Sequence, residues 1–236
     1  MFRWLVLILI LTAAGCTSRI PLQLGNTRVL IVREEHGAGK SFIHLHQNET
    51  TALKAAEHII RTEGGSLITL VHPGERTIVF KLHGKRYEFD PNRMFSDAGI
   101  KKTLKLYGAY TPAAHRVVKS FSNIVKSLLP AGPIIAVHNN KDYCIRNYLP
   151  GHSMASDAGA IFLDPHANPR NFYVLTQRKD YQDLNHYNRV LQAHNAADDG
   201  SLSIYLSSRK YINVEAGYDQ LSAQISMLQR IVSPGS

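Results

Sequence analysis

Short apolar runs alternate with longer amphipathic stretches along most of this chain. Runs at 28–33 (RVLIVR), 41–46 (SFIHLH), 66–71 (SLITLV), 77–82 (TIVFKL) and 85–89 (KRYEF) predict strands. Further strands are predicted at 133–137, 159–163, 172–176, 202–206 and 211–214. Helical spacing of apolar residues covers 50–63, 98–107, 112–129, 180–194 and 217–232. Turn signals at 72–75 (HPGE) and 83–85 (HGK) predict an antiparallel meander across 66–89. Strands alternating with helices on either side of it predict a single three-layer α/β domain, with a mixed, mostly parallel sheet and helices on both faces.

The first residues follow a different pattern. MFRWLVLILILTAAGC carries one positive charge, Arg3, then an apolar run from Leu5 to Leu11 and small residues up to Cys16. The run is too short to span a bilayer and has the layout of a secretory signal over residues 1–15. Ala13-Ala14-Gly15-Cys16 resembles a bacterial lipobox, with Ala where Leu is usual. The resemblance implies lipidation of Cys16, residues 16–26 as lipidated cysteine and tether, and residues 27–236 as the folded domain. Thr17 after the cysteine is compatible with the periplasmic face of the outer membrane, so the membrane is a partner through the N-terminal lipid.

Composition narrows the function. Charged residues at 19% and hydrophobic residues at 44% suit an ordinary globular domain. The net charge of +9 includes Arg3, and the positive residues are dispersed, as at Lys101, Lys105, Lys119 and Lys126. No arginine-rich tract or aromatic interleaving accompanies them, so no nucleic-acid partner is expected; attraction to anionic wall polymer, lipid or substrate accounts for the charge. Cys144 is the one cysteine beyond Cys16. It has no intramolecular partner and no Cys-His signature, and reads as a small buried hydrophobe.

Candidate chemistry gathers where strands end. Phe42, His44 and His46 alternate with Ile43 and Leu45 in the strand before HQNET, and a helix follows with Asn48, Thr50 or Thr51 as its N-cap. Ligand sites of open α/β sheets lie at the carboxyl ends of strands, so His46 and Glu49 are candidate metal ligands. A second His-x-x-Glu pair, His72 and Glu75, contains Pro73-Gly74 and reads as an exposed turn. A catalytic zinc takes three protein ligands and leaves one position open, with a carboxylate nearby as base. The apolar strand before His138 supplies a third ligand, with Asn139 and Asn140 making the turn after it. Glu215, at the end of YINV, supplies the base. Asp90-Pro91-Asn92-Arg93 follows a hairpin, and Arg93 offers a planar fork to a carboxylate.

In chain order HQNET, DPNR, a strand ending in histidine and NVEAG resemble the zinc carboxypeptidase and succinylglutamate desuccinylase/aspartoacylase superfamily. Gln47 stands where the desuccinylase branch often has Gly, Pro91 where it has Leu, and Ala136 where it often has Asp. The resemblance implies His46, Glu49 and His138 as ligands of Zn²⁺, Glu215 as general base and acid, and Asn92 with Arg93 as the holders of a substrate carboxylate. It leaves Arg76 and Arg86 as alternatives for an oxyanion-stabilising arginine, and Tyr205 or Tyr211 as residues that close over substrate or pack. His44 reads as a neighbour of the ligands. The implied activity is hydrolysis of an amide or peptide bond next to a substrate carboxylate, on peptides, cell-wall stem peptides or N-acyl amino acids. A second reading is a non-catalytic lipoprotein of the same fold that binds peptide, cell wall or metal. A third is a metal-delivery protein, which the scattered histidines favour less.

Overall fold

The computed structural model describes residues 15–232. Eleven strands and six helices follow one another: β1 (Cys16–Leu24), β2 (Thr27–His36), β3 (Lys40–His44), α1 (Thr50–Glu63), β4 (Gly65–Val71), β5 (Ile78–Leu82) and β6 (Lys85–Phe89). Then come α2 (Asp97–Leu106), α3 (Pro112–Leu128), β7 (Ile134–Asn140), β8 (Ala158–Phe162) and β9 (Phe172–Leu175). The last are α4 (Arg178–Asp183), β10 (Arg189–Gln192), α5 (Leu202–Tyr205), β11 (Tyr211–Gly217) and α6 (Leu221–Val232). Nine strands form one sheet in the order β1-β2-β4-β3-β7-β11-β9-β10-β8, and β5 with β6 forms a separate hairpin. Four neighbouring pairs are parallel, namely β4–β3, β3–β7, β7–β11 and β9–β10. The other four are antiparallel. The sheet is therefore mixed, with its parallel block at the centre.

Alternation along the central strands supplies both faces of the core. Phe42, Leu67, Ile135, Val137, Ile212 and Val214 pack with Ala52, Ala55, Ile59 and Ile60 of α1 and Met227 and Leu228 of α6. Ile43, Ile68, Ile134, Ala136 and Tyr211 pack on the opposite face with α2, α3 and the β5–β6 hairpin. The small alanines of α1 let its backbone lie close to the sheet. Among the described residues no helix is long and apolar enough to cross a membrane.

Several elements differ from the sequence expectation. The predicted tether is β1, an edge strand paired antiparallel with β2 along its whole length. Its alternating Ile20, Leu22 and Leu24 reach the core, which a solvated linker would not do. Cys16 is exposed at its start, and residues 1–14 of the expected signal lie outside the described residues. The 66–89 meander divides: β4 joins the main sheet, while the aromatic residues Phe80, Tyr87 and Phe89 hold the hairpin on the core, with Phe89 edge-on to Phe121. Residues 202–205, predicted as part of a strand, are helical, with Leu202 and the C-cap residue Leu206, four apart, as the buried pair. The helix predicted over 180–194 stops at Asp183, and Val190 and Leu191 become β10, paired on both sides.

Candidate metal centre

The three adjacent parallel strands β3, β7 and β11 end on one edge of the sheet, and the polar residues of the predicted site sit there. Chain continuation past β3 brings His46 and then Glu49, which is the N-cap residue of α1. The caps expected at Asn48, Thr50 or Thr51 are not used. Glu49 makes no side-chain cap either, because its carboxylate turns to the two histidines. The acceptor for α1 comes from the neighbouring strand: the Ala52 N–H donates to Asn139 Oδ1 at 2.7 Å. Asn139 also donates to Gln224 Oε1 at 3.0 Å, and Gln224 donates to the His138 carbonyl at 3.0 Å. Asn139 and Asn140 thus extend β7 instead of forming a turn.

His46, Glu49 and His138 are all buried, and one ligand atom from each lies within 4.8 Å of the others. Glu49 Oε1 is 2.9 Å from His46 Nδ1, Glu49 Oε2 is 2.8 Å from His138 Nδ1, and the two Nδ1 atoms are 3.2 Å apart. Ligands of one tetrahedral zinc at roughly 2.0–2.1 Å stand about 3.3 Å from each other, so the cluster fits such an ion. Donor chemistry points the same way. His46 Nε2 lies 2.8 Å from Asp90 Oδ1, an acceptor-only group, so Nε2–H donates there and Nδ1 is the atom left to face Glu49 and His138. A carboxylate behind a ligating histidine fixes its tautomer and ring orientation in metal sites. His138 has no such support: its Nε2 is buried without a partner among the described residues.

The charges are strongly coupled. In the metal-free cluster, burial pushes the His46 imidazole down, but the Glu49 and Asp90 carboxylates outweigh it and hold it up at about 9. Burial raises the Glu49 carboxyl, and the two histidines overcome this, leaving it well below the usual carboxylate range. His44 is neutral, its pKa lowered by burial to about 4, and its Nε2 is 3.0 Å from the Glu49 carbonyl. It is a buried neighbour of the cluster, as expected. Arg76 Nη1 donates to Glu49 Oε1 at 2.6 Å, with its Nε 3.6 Å from Asp90 Oδ2.

Glu215 is in register with His138 across the β7–β11 ladder and is buried. Two amides clamp it: Asn140 Nδ2 donates to Oε2 at 3.1 Å and Asn213 Nδ2 to Oε1 at 3.0 Å. Hydrogen bonds to both oxygens fix the orientation of the carboxylate. Glu49, His138 and Glu215 border one cavity of about 530 Å³, with Arg76, Asn92, Arg93, Tyr143 and Tyr148 also in its wall. The Tyr143 and Tyr148 hydroxyls bond to each other, and burial raises both phenols above their ordinary value.

Arg76 lines the cavity, whereas Arg86 pairs with Glu88 on the hairpin. Asn92 and Arg93 line it too, but Asn92 Oδ1 accepts from the Leu202 N–H at 3.1 Å, and Arg93 pairs with Asp199. Tyr211 is core and Tyr205 is exposed beneath Lys126, so neither borders the cavity. His72 is buried, not exposed as the turn signal predicts; burial first, then the charge of His46, lowers it to about 4. Asn213 and Tyr148 are members of the site that no motif singled out, and Asp90 and Asn140, read from the sequence only as turn residues, belong to it as well. No protein-family model, curated protein or solved structure matches this chain, so the functional reading rests on the site's own geometry.

Proposed function

We propose that this protein is a zinc-dependent hydrolase of an amide or peptide bond, working as the zinc carboxypeptidase and succinylglutamate desuccinylase/aspartoacylase superfamily does. One observation carries the reading: His46, Glu49 and His138 have metal-ligand spacing, two of them, Glu49 and His138, line a cavity with the clamped carboxylate of Glu215, and all four stand at the ends of adjacent parallel strands. A zinc ion held by His46, Glu49 and His138 would supply Lewis acidity to the scissile carbonyl and to a water molecule. Glu215 takes a proton from the attacking water as the carbon–oxygen bond forms. It returns that proton to the leaving nitrogen as the carbon–nitrogen bond breaks. Asn140 and Asn213 hold the carboxylate in one orientation for both transfers. Arg76, which lines the cavity beside Glu49 while Arg86 does not, is our choice for the arginine that meets negative charge developing on the carbonyl oxygen.

The signal-like N-terminus and Cys16 support an exported, lipid-anchored protein whose substrates are peptides, cell-wall stem peptides or N-acyl amino acids. The test is hydrolysis of panels of these three classes by wild type and Glu215→Gln. Turnover by wild type that drops by about 10³-fold or more in Glu215→Gln supports the proposal. Equal turnover by the two proteins would remove Glu215 from the chemistry.

A further inference from the structure

Resting on the amide-hydrolase reading, we infer that Asp199 is the specificity-determining residue of this cavity. It neutralises Arg93, so that the wall they share accepts a neutral carbonyl of an amide substrate in place of a terminal carboxylate. Arg93 Nη1 is bonded to Asp199 Oδ2, and both side chains border the main cavity. The same pair also lines a second, smaller cavity with Lys102 and Thr103, and so forms the partition between the two.

Asp199 is held rigidly in that position. Its other oxygen, Oδ1, accepts from the Ser201 N–H at 2.9 Å. Next to it, Gly200 has φ +80° and its carbonyl accepts from the Phe95 N–H at 2.9 Å. A Cβ on Gly200 would fall 2.5 Å from Gly99 Cα, so the segment is pressed directly on α2. On its other side, the Ser96 hydroxyl donates to Asp198 Oδ1 at 2.8 Å. An internal carboxylate fixed by backbone and helix contacts is already in place before any substrate arrives.

A second carboxylate brought to Arg93 meets this one as a like charge. Arg93 Nε and Nη2, by contrast, have no partner among the described residues. They remain N–H donors in a locally neutral pair, which suits an uncharged carbonyl oxygen. Substrates with an internal amide at this wall therefore fit better than chain ends.

The inference is tested with acetate as the anion probe, titrated while the Arg93 Nε–H signal is followed by NMR. Wild type is compared with Asp199→Asn, whose amide oxygen still accepts from the Ser201 N–H, and with Asp199→Ala. Acetate should bind at Arg93 about tenfold or more tightly in both variants than in wild type. Saturable binding to wild type as tight as to either folded variant would overturn the inference. So would the absence of any Arg93 shift in all three proteins, since another group would then be closing the subsite. Zinc uptake by the same samples reads the hydrolase proposal separately: loss of uptake with the Asp199 effect intact would sink the enzyme reading alone.

Discussion

Both nitrogens of His46 have assigned tasks, and this residue shows most clearly what the site is built to do. Asp90 accepts from Nε2–H, which leaves Nδ1 to face Glu49 and His138. Asp90→Asn should weaken zinc binding roughly 10- to 100-fold while leaving its stoichiometry intact, measured by competition with a metallochromic chelator. An unchanged affinity would show that the ring needs no such support. The titration of His46 gives a second expectation. Its folded-state pKa of about 9 stands above the ordinary 6.5, so the stabilisation it gives the metal-free protein is complete below 6.5 and is lost as pH rises through 9. The unfolding midpoint of the metal-free protein should fall across that window, and His46→Gln should flatten the fall. Zinc, which needs the ring without its Nδ1 proton, should bind more tightly across the same range. At this scale His46, Glu49, His138 and Glu215 are legible in the sequence because each is a polar residue placed where an apolar run stops. Asn140 and Asn213 are not legible: uncharged amides beside a strand end carry no spacing signature, and their role depends on the β7–β11 register.

Elements place these residues more than local propensity does. The helix α1 begins on Glu49, and a helix start ordinarily uses that residue's side chain as its cap. Here the side chain is diverted to the histidines, and Asn139 on β7 accepts the orphan N–H of Ala52. Asn139→Ala should therefore lower stability by about 1–2 kcal/mol in urea denaturation, through a helix that follows the neighbouring strand. No change would show that α1 needs no partner at its start. The same exchange explains why the sequence points to Asn48, Thr50 or Thr51 as caps: nothing local reveals that a neighbouring strand supplies the acceptor. The short α5 and β10 escape sequence reading for a related reason. Four residues of LSIY fit either period, and tertiary pairing of Val190 and Leu191 overrides the helical spacing around them.

For the whole molecule, the parallel centre of the sheet is the feature that turns a list of polar residues into a site. Parallel neighbours β3, β7 and β11 send their carboxyl ends to the same edge, so residues 46, 49, 138 and 215 converge although they are far apart in sequence. The α/β class is legible from alternating runs, and so is the location of the site at strand ends. The extent of antiparallel pairing is not, because β1 hides in a stretch with one proline and few apolar residues, and β8 and β10 pair only through long-range contacts.

The most direct test of the account is the zinc content per chain of the purified protein beside its His46→Ala and Glu215→Gln variants. One zinc per chain is expected in wild type and in Glu215→Gln, and loss of zinc is expected in a folded His46→Ala protein. Failure of the wild-type protein to take up zinc at neutral pH, or equal uptake by His46→Ala, would contradict the metal centre and the hydrolase proposed on it.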